Sequence, residues 1–238
     1  MELQNGLQLL LTKYALPPDA VFIGSRTLSV RGQTVPIPGW RNERRFLELK
    51  NMVQDHTLGQ LCAIRSSRIA SRGSSSDRLL MQELDLCQWI CGCRIESVMA
   101  QENGPALVVA VRMENGVSCT LELSATLPEG RKDIDRHELI SRRGIASDRV
   151  VDSQIPQESV YLFSSEGSRS YTDTDFELPE YSPQDAAAIR MAFQAVKNPS
   201  LCDSLIRDFC QLDDLIQAVH LSAKSCTPVS LQTKGGHR

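Results

Sequence analysis

Between residues 117 and 126 the chain alternates with a period of two. Val117, Cys119, Leu121, Leu123 and Ala125 fall on one side, and Ser118, Thr120, Glu122, Ser124 and Thr126 on the other. Successive side chains of a strand point to opposite faces, so this segment is a strand with one face in a core and one facing water. A strand needs neighbours, and the flanking sequence supplies them: 94–101, 106–113, 135–143 and 158–164 carry the same apolar character. Asn103-Gly104 and Asn115-Gly116 punctuate the first of these runs. Asn-Gly suits a tight hairpin because both central positions of a type I′ turn need positive φ. The middle of the chain therefore reads as an antiparallel meander.

Helical periodicity flanks that meander. Residues 2–15 read as a helix that stops before Pro17-Pro18, and Phe46, Leu49 and Val53 form one face of a helix over 42–55. The serines of Ser71-Arg72-Gly73-Ser74-Ser75-Ser76 cap a helix over 77–91 with Leu80, Leu84 and Cys87 on its apolar face, and Gly92 ends it. Ser182-Pro183-Gln184-Asp185 opens another helix, with an N-cap, a proline in the first turn and an acid behind it. After Asn198-Pro199 the apolar positions Leu201, Leu205, Phe209, Leu212, Ile216 and Val219 follow one helical face. Short strands are expected at 20–23, 60–69 and 227–231, and a loop or small hairpin between 25 and 40. The expected class is α+β, a largely antiparallel open sheet with helices on one face.

Charge and cysteine usage narrow the function. With 26 basic and 29 acidic residues the net charge is −3, and the basic runs at 41–45 and 142–143 are short. Such a chain has no clustered positive field to attract nucleic acid or an anionic membrane. No apolar run approaches the roughly 18 residues of a spanning helix. The eight cysteines follow no secretory signal and lie mostly in apolar stretches, as expected of reduced thiols in a cytoplasmic protein. Cys87, Cys91 and Cys93 lack the paired spacing of a zinc site, although the first two share a helical face. Tyr171, Asp173 and Asp175 lack the glycine and distal glutamate of a calcium loop and read as a turn.

Four strings in this order resemble the carboxy-terminal half of the glucose-fructose oxidoreductase / inositol dehydrogenase / MocA (Gfo/Idh/MocA) family. The first is Arg44-Arg45-Phe46 with its helix, followed by His56-Thr57-Leu58-Gly59-Gln60-Leu61. The second is Leu84-Asp85-Leu86-Cys87-Gln88-Trp89-Ile90-Cys91-Gly92. The third runs from Gly116-Val117 to Leu127-Pro128. The fourth spans 215–231 with Ser222-Ala223 and Pro228-Val229-Ser230-Leu231, where Ser225-Cys226 replaces the family's glycine. The resemblance covers about 40–231 and implies a dihydrodipicolinate-reductase-like carboxy-terminal domain over 41–231. Residues 1–40 would then be a helix–strand remnant of the family's nucleotide-binding domain plus a linker, and 232–238 a disordered tail. It also implies a homodimer or larger assembly through the open sheet face.

What the family has and this sequence lacks is equally informative. None of the fourteen glycines forms the G-x-G-x-x-G turn that brings backbone amides to a dinucleotide pyrophosphate, and there is no Lys-Pro. No cofactor is therefore expected on the chain alone; NAD or NADP would come only with a separately encoded Rossmann-domain partner. The family places an acid and a histidine four apart at the start of its Leu84-Asp85-Leu86-type helix. Those positions here are Arg78 and Gln82, and neither titrates usefully near neutrality. No catalytic residue is assigned. Arg78, Gln82, Asp85, His137 and Asp152 are the candidate lining of a residual pocket for a small sugar or polyol, although Asp148 and Asp152 also suit an ordinary Asx-type turn. The leading expectation is a non-catalytic, oxidoreductase-like protein acting in assembly or ligand binding. The alternatives are a substrate-domain subunit of an NAD(P)-dependent enzyme and a truncated gene product.

Overall fold

The computed structural model describes residues 2–131, 133–148, 159–164, 167–172 and 177–231. In chain order the elements are α1 (Leu3–Lys13), β1 (Val21–Phe22), β2 (Thr27–Val30), β3 (Gln33–Pro36), a 3-10 turn (Gly39–Asn42), α2 (Arg44–Gln54), β4 (Leu61–Ser71) and α3 (Ser76–Cys91). There follow β5 (Ile95–Asn103), β6 (Ala106–Met113), β7 (Ser118–Leu127), β8 (Ile134–Ser141), β9 (Gly144–Ser147), β10 (Ser159–Ser164) and β11 (Gly167–Thr172). The chain closes with α4 (Pro183–Lys197), α5 (Pro199–Ser225) and β12 (Val229–Ser230).

These elements form two compact units, one from 1–47 with 173–211 and the other from 48–172 with 212–238. In the first, β1, β2 and β3 make a three-stranded antiparallel sheet, so the glycine- and proline-rich stretch after residue 25 folds as a hairpin. Leu7, Leu10 and Leu11 of α1 and Ile189, Phe193 and Val196 of α4 share its core with Leu28, Val35 and Ile37. Ser182 caps α4 by accepting from the Asp185 amide at 3.1 Å, with Pro183 at the first helical position where a missing N–H costs nothing. The 3-10 turn packs tightly on α4: a Cβ on Gly39 would lie 3.0 Å from the Ala188 backbone.

The second unit is built on a nine-stranded sheet ordered β11-β10-β9-β8-β4-β7-β6-β5-β12. The hairpins expected at the two Asn-Gly pairs are present. Asn103 pairs with Ala106 across a two-residue turn in which Gly104 has φ +58°, and the amide of Met113 donates to Val117 across the other. The sheet nevertheless departs from a simple meander. β4 inserts between β7 and β8, antiparallel to β8 but parallel to β7. A parallel neighbour needs a long crossover, and α3 with the β5–β6 hairpin provides it. β9 and β11 are further strands that the sequence pattern did not suggest.

Alternation divides this sheet as its sequence requires. Val109, Val111, Cys119, Leu121 and Leu139 are buried, whereas Met99, Val108, Ile134 and Ile145 are exposed on the strands. Helix α3 lies against β7 and β4. It begins at Ser75, whose hydroxyl accepts from the Arg78 amide at 3.3 Å, and ends at Gly92 in the left-handed region. Leu80, Leu84 and Leu86 are fully buried. At the other margin, the two residues of β12 pair with Ser97 and Val98 of β5, and Ser222 Oγ accepts from the next inward amide of that strand, Ala100, at 2.9 Å.

Candidate functional site

Five polar residues meet in the layer between α3 and the sheet, where the alternation alone would put aliphatic ones. On β4 the inward series is Ile64, Ser66, Arg68, Ala70, and Ser66 sits opposite His137 of β8. From α3 the carboxylate of Glu83 reaches this pair, and Asp148 follows directly after β9. Glu83, His137 and Asp148 are each no more than 2% exposed.

The geometry is that of an imidazole clasped between two carboxylates. His137 Nδ1 lies 2.7 Å from Asp148 Oδ2, and Nε2 lies 3.0 Å from Glu83 Oε2. The backbone closes the clasp, since His137 N donates to Asp148 Oδ1 at 2.7 Å and Asp148 N donates to the His137 carbonyl at 3.1 Å. Ser66 Oγ donates to Glu83 Oε2 at 2.6 Å, and Arg68 Nη1 approaches Glu83 Oε1 at 3.4 Å. Among the described residues Arg68 Nε is the one buried side-chain polar atom without a hydrogen-bond partner.

Burial opposes charge on His137, yet Asp148 and Glu83 outweigh it and hold its pKa up at about 10. Burial likewise pushes the Glu83 carboxyl upward, but the imidazolium, Arg68 and Ser66 pull it down to about 2. At neutral pH the centre is thus an imidazolium and a guanidinium facing two carboxylates. Both ring nitrogens are committed as donors. A general base needs a free lone pair within reach of its substrate proton, so His137 in this arrangement ties α3 to β8 and β9 and has no lone pair to offer.

The candidate residues separate in the structure. His137 is in this centre, with the carboxylate partners that the sequence did not identify. Gln82 and Asp85 are buried on α3, and Arg78 stands exposed in its first turn. Asp152 lies outside the described residues, as do Asp173 and Asp175 of the segment read as a turn. None of Arg78, Gln82, Asp85 and His137 lines the groove of about 740 Å³ in the first unit, which runs along α1 past Asn5, Gln8, Leu9, Thr12, Lys13 and Glu177. His220 pairs with Asp77 at 2.8 Å, and the carbonyl of His56 accepts from Arg143.

Glu83, Ser66 and Arg68 were missed as site residues, though a signal existed. Two polar residues at alternate positions of an otherwise apolar strand face require buried partners, because unpaired polar groups in a core cost free energy. A glutamate flanked by Leu80, Leu84 and Leu86 on α3 is the complementary signal.

The described residues also bear on a dinucleotide. The strand–turn–helix passage from β4 to α3, which precedes a parallel pairing, contains one glycine, Gly73, and not the three that a pyrophosphate turn requires. That passage does not have the glycine spacing of a dinucleotide-binding turn.

The fold is similar to that of solved oxidoreductases of the Gfo/Idh/MocA type. Among solved structures it is similar to an oxidoreductase from Agrobacterium radiobacter in complex with NAD+, L-tartaric acid and magnesium, with a TM-score of 0.67 and 13% identity over 82% of this chain and 64% of that one. It is also similar to an oxidoreductase from Sinorhizobium meliloti, with a TM-score of 0.65 and 13% identity over 82% and 64% of the two chains. A levoglucosan dehydrogenase in complex with NADH and levoglucosan matches with a TM-score of 0.64 and 11% identity over 82% and 65%. At these identities the likeness is one of fold. The chain spans just under two thirds of the length of each. No family model and no curated protein sequence matches it. Among the described residues no helix is long and apolar enough to cross a membrane.

Proposed function

We propose that this chain is an oxidoreductase-like carboxy-terminal domain that performs no hydride transfer alone and acts in assembly or in binding a small sugar- or polyol-type ligand. The observation that supports this is the chemistry of α3. An arginine and a glutamine occupy the positions that resemble the family's proton-transfer pair, and His137 is committed to Glu83 and Asp148. The reading includes a homodimer or larger assembly in the cytoplasm through the sheet face that carries Met99, Val108, Ile134 and Ile145. Titrating the purified chain with NADH and NADPH, with nicotinamide fluorescence as the signal, tests it. A linear, non-saturating response is expected, and saturable binding would overturn it.

A second reading is that the chain is the substrate-side subunit of an NAD(P)-dependent oxidoreductase whose cofactor domain is a separate polypeptide. It is favoured by the coverage, since this chain matches just under two thirds of similar structures that hold NAD+ or NADH, which leaves over a third of each without a counterpart here. Co-purification of tagged chain with a short dinucleotide-binding protein, and nicotinamide-dependent turnover by the pair alone, would select it over the first.

A further inference from the structure

In the first unit, β1 lies at the margin of its three-stranded sheet and pairs with β2 on one side. The Ile23 amide bonds inward to the Thr27 carbonyl at 2.8 Å, so alternation turns the backbone groups of Ala20 and Phe22 toward the open edge. One side chain meets both. Gln4, in the first turn of α1, accepts from the Phe22 amide through Oε1 at 2.8 Å and donates through Nε2 to the Ala20 carbonyl at 3.1 Å. Its carboxamide does what the backbone of a further strand would do. In a parallel neighbour, a single residue donates to one carbonyl and accepts from the amide two residues further on; in an antiparallel neighbour those two bonds come from residues two apart. Both Gln4 bonds come from one residue, which is the parallel pattern. Val21 and Ile23 stand on the face turned away from the core and are 51% and 55% exposed, whereas Phe22 packs inward. Edge strands are commonly blunted by charge or proline, and the run from Ala20 to Ile23 carries neither.

We propose that the open edge of β1 is a docking site for one extended strand of a separate polypeptide, which lies parallel to β1, displaces the Gln4 carboxamide and covers Val21 and Ile23 with aliphatic residues at alternate positions. The proposal rests on the second reading above: the occupant is a strand of the polypeptide carrying the part that has no counterpart here, since the chain matches just under two thirds of similar structures that hold NAD+ or NADH. In strand addition the main-chain hydrogen bonds supply affinity and the alternate side chains set specificity. Until the strand arrives, Gln4 keeps the edge satisfied, because a bare amide and carbonyl beside two exposed aliphatic residues would accept any passing strand. A twofold axis perpendicular to β1 would run the strands of two copies of this chain antiparallel, which is not the pattern that Gln4 imitates.

The test uses the full chain, isotopically labelled for nuclear magnetic resonance, and a short synthetic peptide of alternating valine and threonine with a lysine at each end. Saturable shifts are expected at the Phe22 backbone amide and the Gln4 side-chain amide. A nitroxide on the carboxy terminus of the peptide should broaden Ile23 and Gly24 more than Ala20, as a parallel strand requires. Gln4→Ala should bind the peptide roughly five- to tenfold more tightly, the worth of one competing hydrogen bond, and Ile23→Glu should weaken binding from an exposed position. The proposal is overturned by the lack of a saturable shift in both the parent and Gln4→Ala, by a nitroxide effect strongest at Ala20, or by sedimentation in which Gln4→Ala pairs with itself and leaves the peptide free. The peptide assay contains neither nicotinamide nor a partner domain, so its failure strikes this edge alone, whereas a co-purified pair without turnover strikes the second reading.

Discussion

Replacing Glu83 with glutamine keeps the shape and hydrogen-bonding capacity of the side chain while removing its charge. In the native arrangement the carboxylate sits 3.0 Å from the imidazolium of His137 and 3.4 Å from the Arg68 guanidinium. Its pKa of about 2 against an ordinary 4.5 corresponds to about 3 kcal/mol of stabilisation. That agrees with the roughly 3–5 kcal/mol lost when one member of a buried ion pair is removed. His137 is displaced further because it also has Asp148 at 2.7 Å, so its shift does not isolate the pair that this substitution breaks. Because the Glu83 pKa is lower folded than unfolded, its contribution is complete above about 4.5 and drains as pH falls toward 2. Urea unfolding at pH 7, followed by the fluorescence of Trp89 on α3 in a Trp40→Phe background, should show Glu83→Gln less stable by about 3 kcal/mol. A loss below about 1 kcal/mol, the range of an exposed ion pair, would refute the claim that the two charges hold each other in the core.

His137 gives the opposite pH signature: its folded pKa is raised, so its contribution is full below about 6.5 and is lost as pH rises toward 10. Unfolding measured between pH 6.5 and 10 should show a decline in the native protein that is flattened in His137→Gln; an unchanged slope would assign the decline elsewhere. Ser75→Ala removes the α3 cap and should cost about 1 kcal/mol by thermal unfolding, whereas Ser76→Ala should cost little; equal effects would contradict the assignment of Ser75 as cap. Val108→Glu on the open sheet face should turn a dimer into a monomer in sedimentation at micromolar concentration, and an unaltered dimer would move the interface to another surface. Gly39→Val should destabilise the first unit because its Cβ would meet the Ala188 backbone; unchanged proteolysis of that unit would count against the close approach.

The sequence carried the fold unevenly, and the reasons are physical. Strands with one wet face were legible: β6 occupies the residues expected of it, and β5 and β7 end within two residues of theirs, because alternation and Asn-Gly turns are local signals. Helix limits at Ser182-Pro183 and Gly92 were legible for the same reason. The parallel pairing of β4 with β7 was not, since it joins residues more than fifty positions apart and leaves no mark within either strand. β9, only four residues long, was hidden behind the Arg142-Arg143 turn. At the site, His137 was singled out as a candidate pocket residue, but its partners come from α3 and from the residue after β9, and only the tertiary fold brings Glu83 and Asp148 to it. The absence of a glycine-rich turn and of an acid–histidine pair on α3 required no fold at all.

The functional account depends on whether this polypeptide can transfer hydride without help. Incubating the purified chain with NAD+ or NADP+ and a panel of sugars and polyols, and following reduced nicotinamide by its absorbance, measures that directly. The account predicts a rate indistinguishable from a heat-denatured control for every substrate. Turnover that saturates with a sugar or polyol and disappears in Arg78→Ala or Gln82→Ala would contradict it.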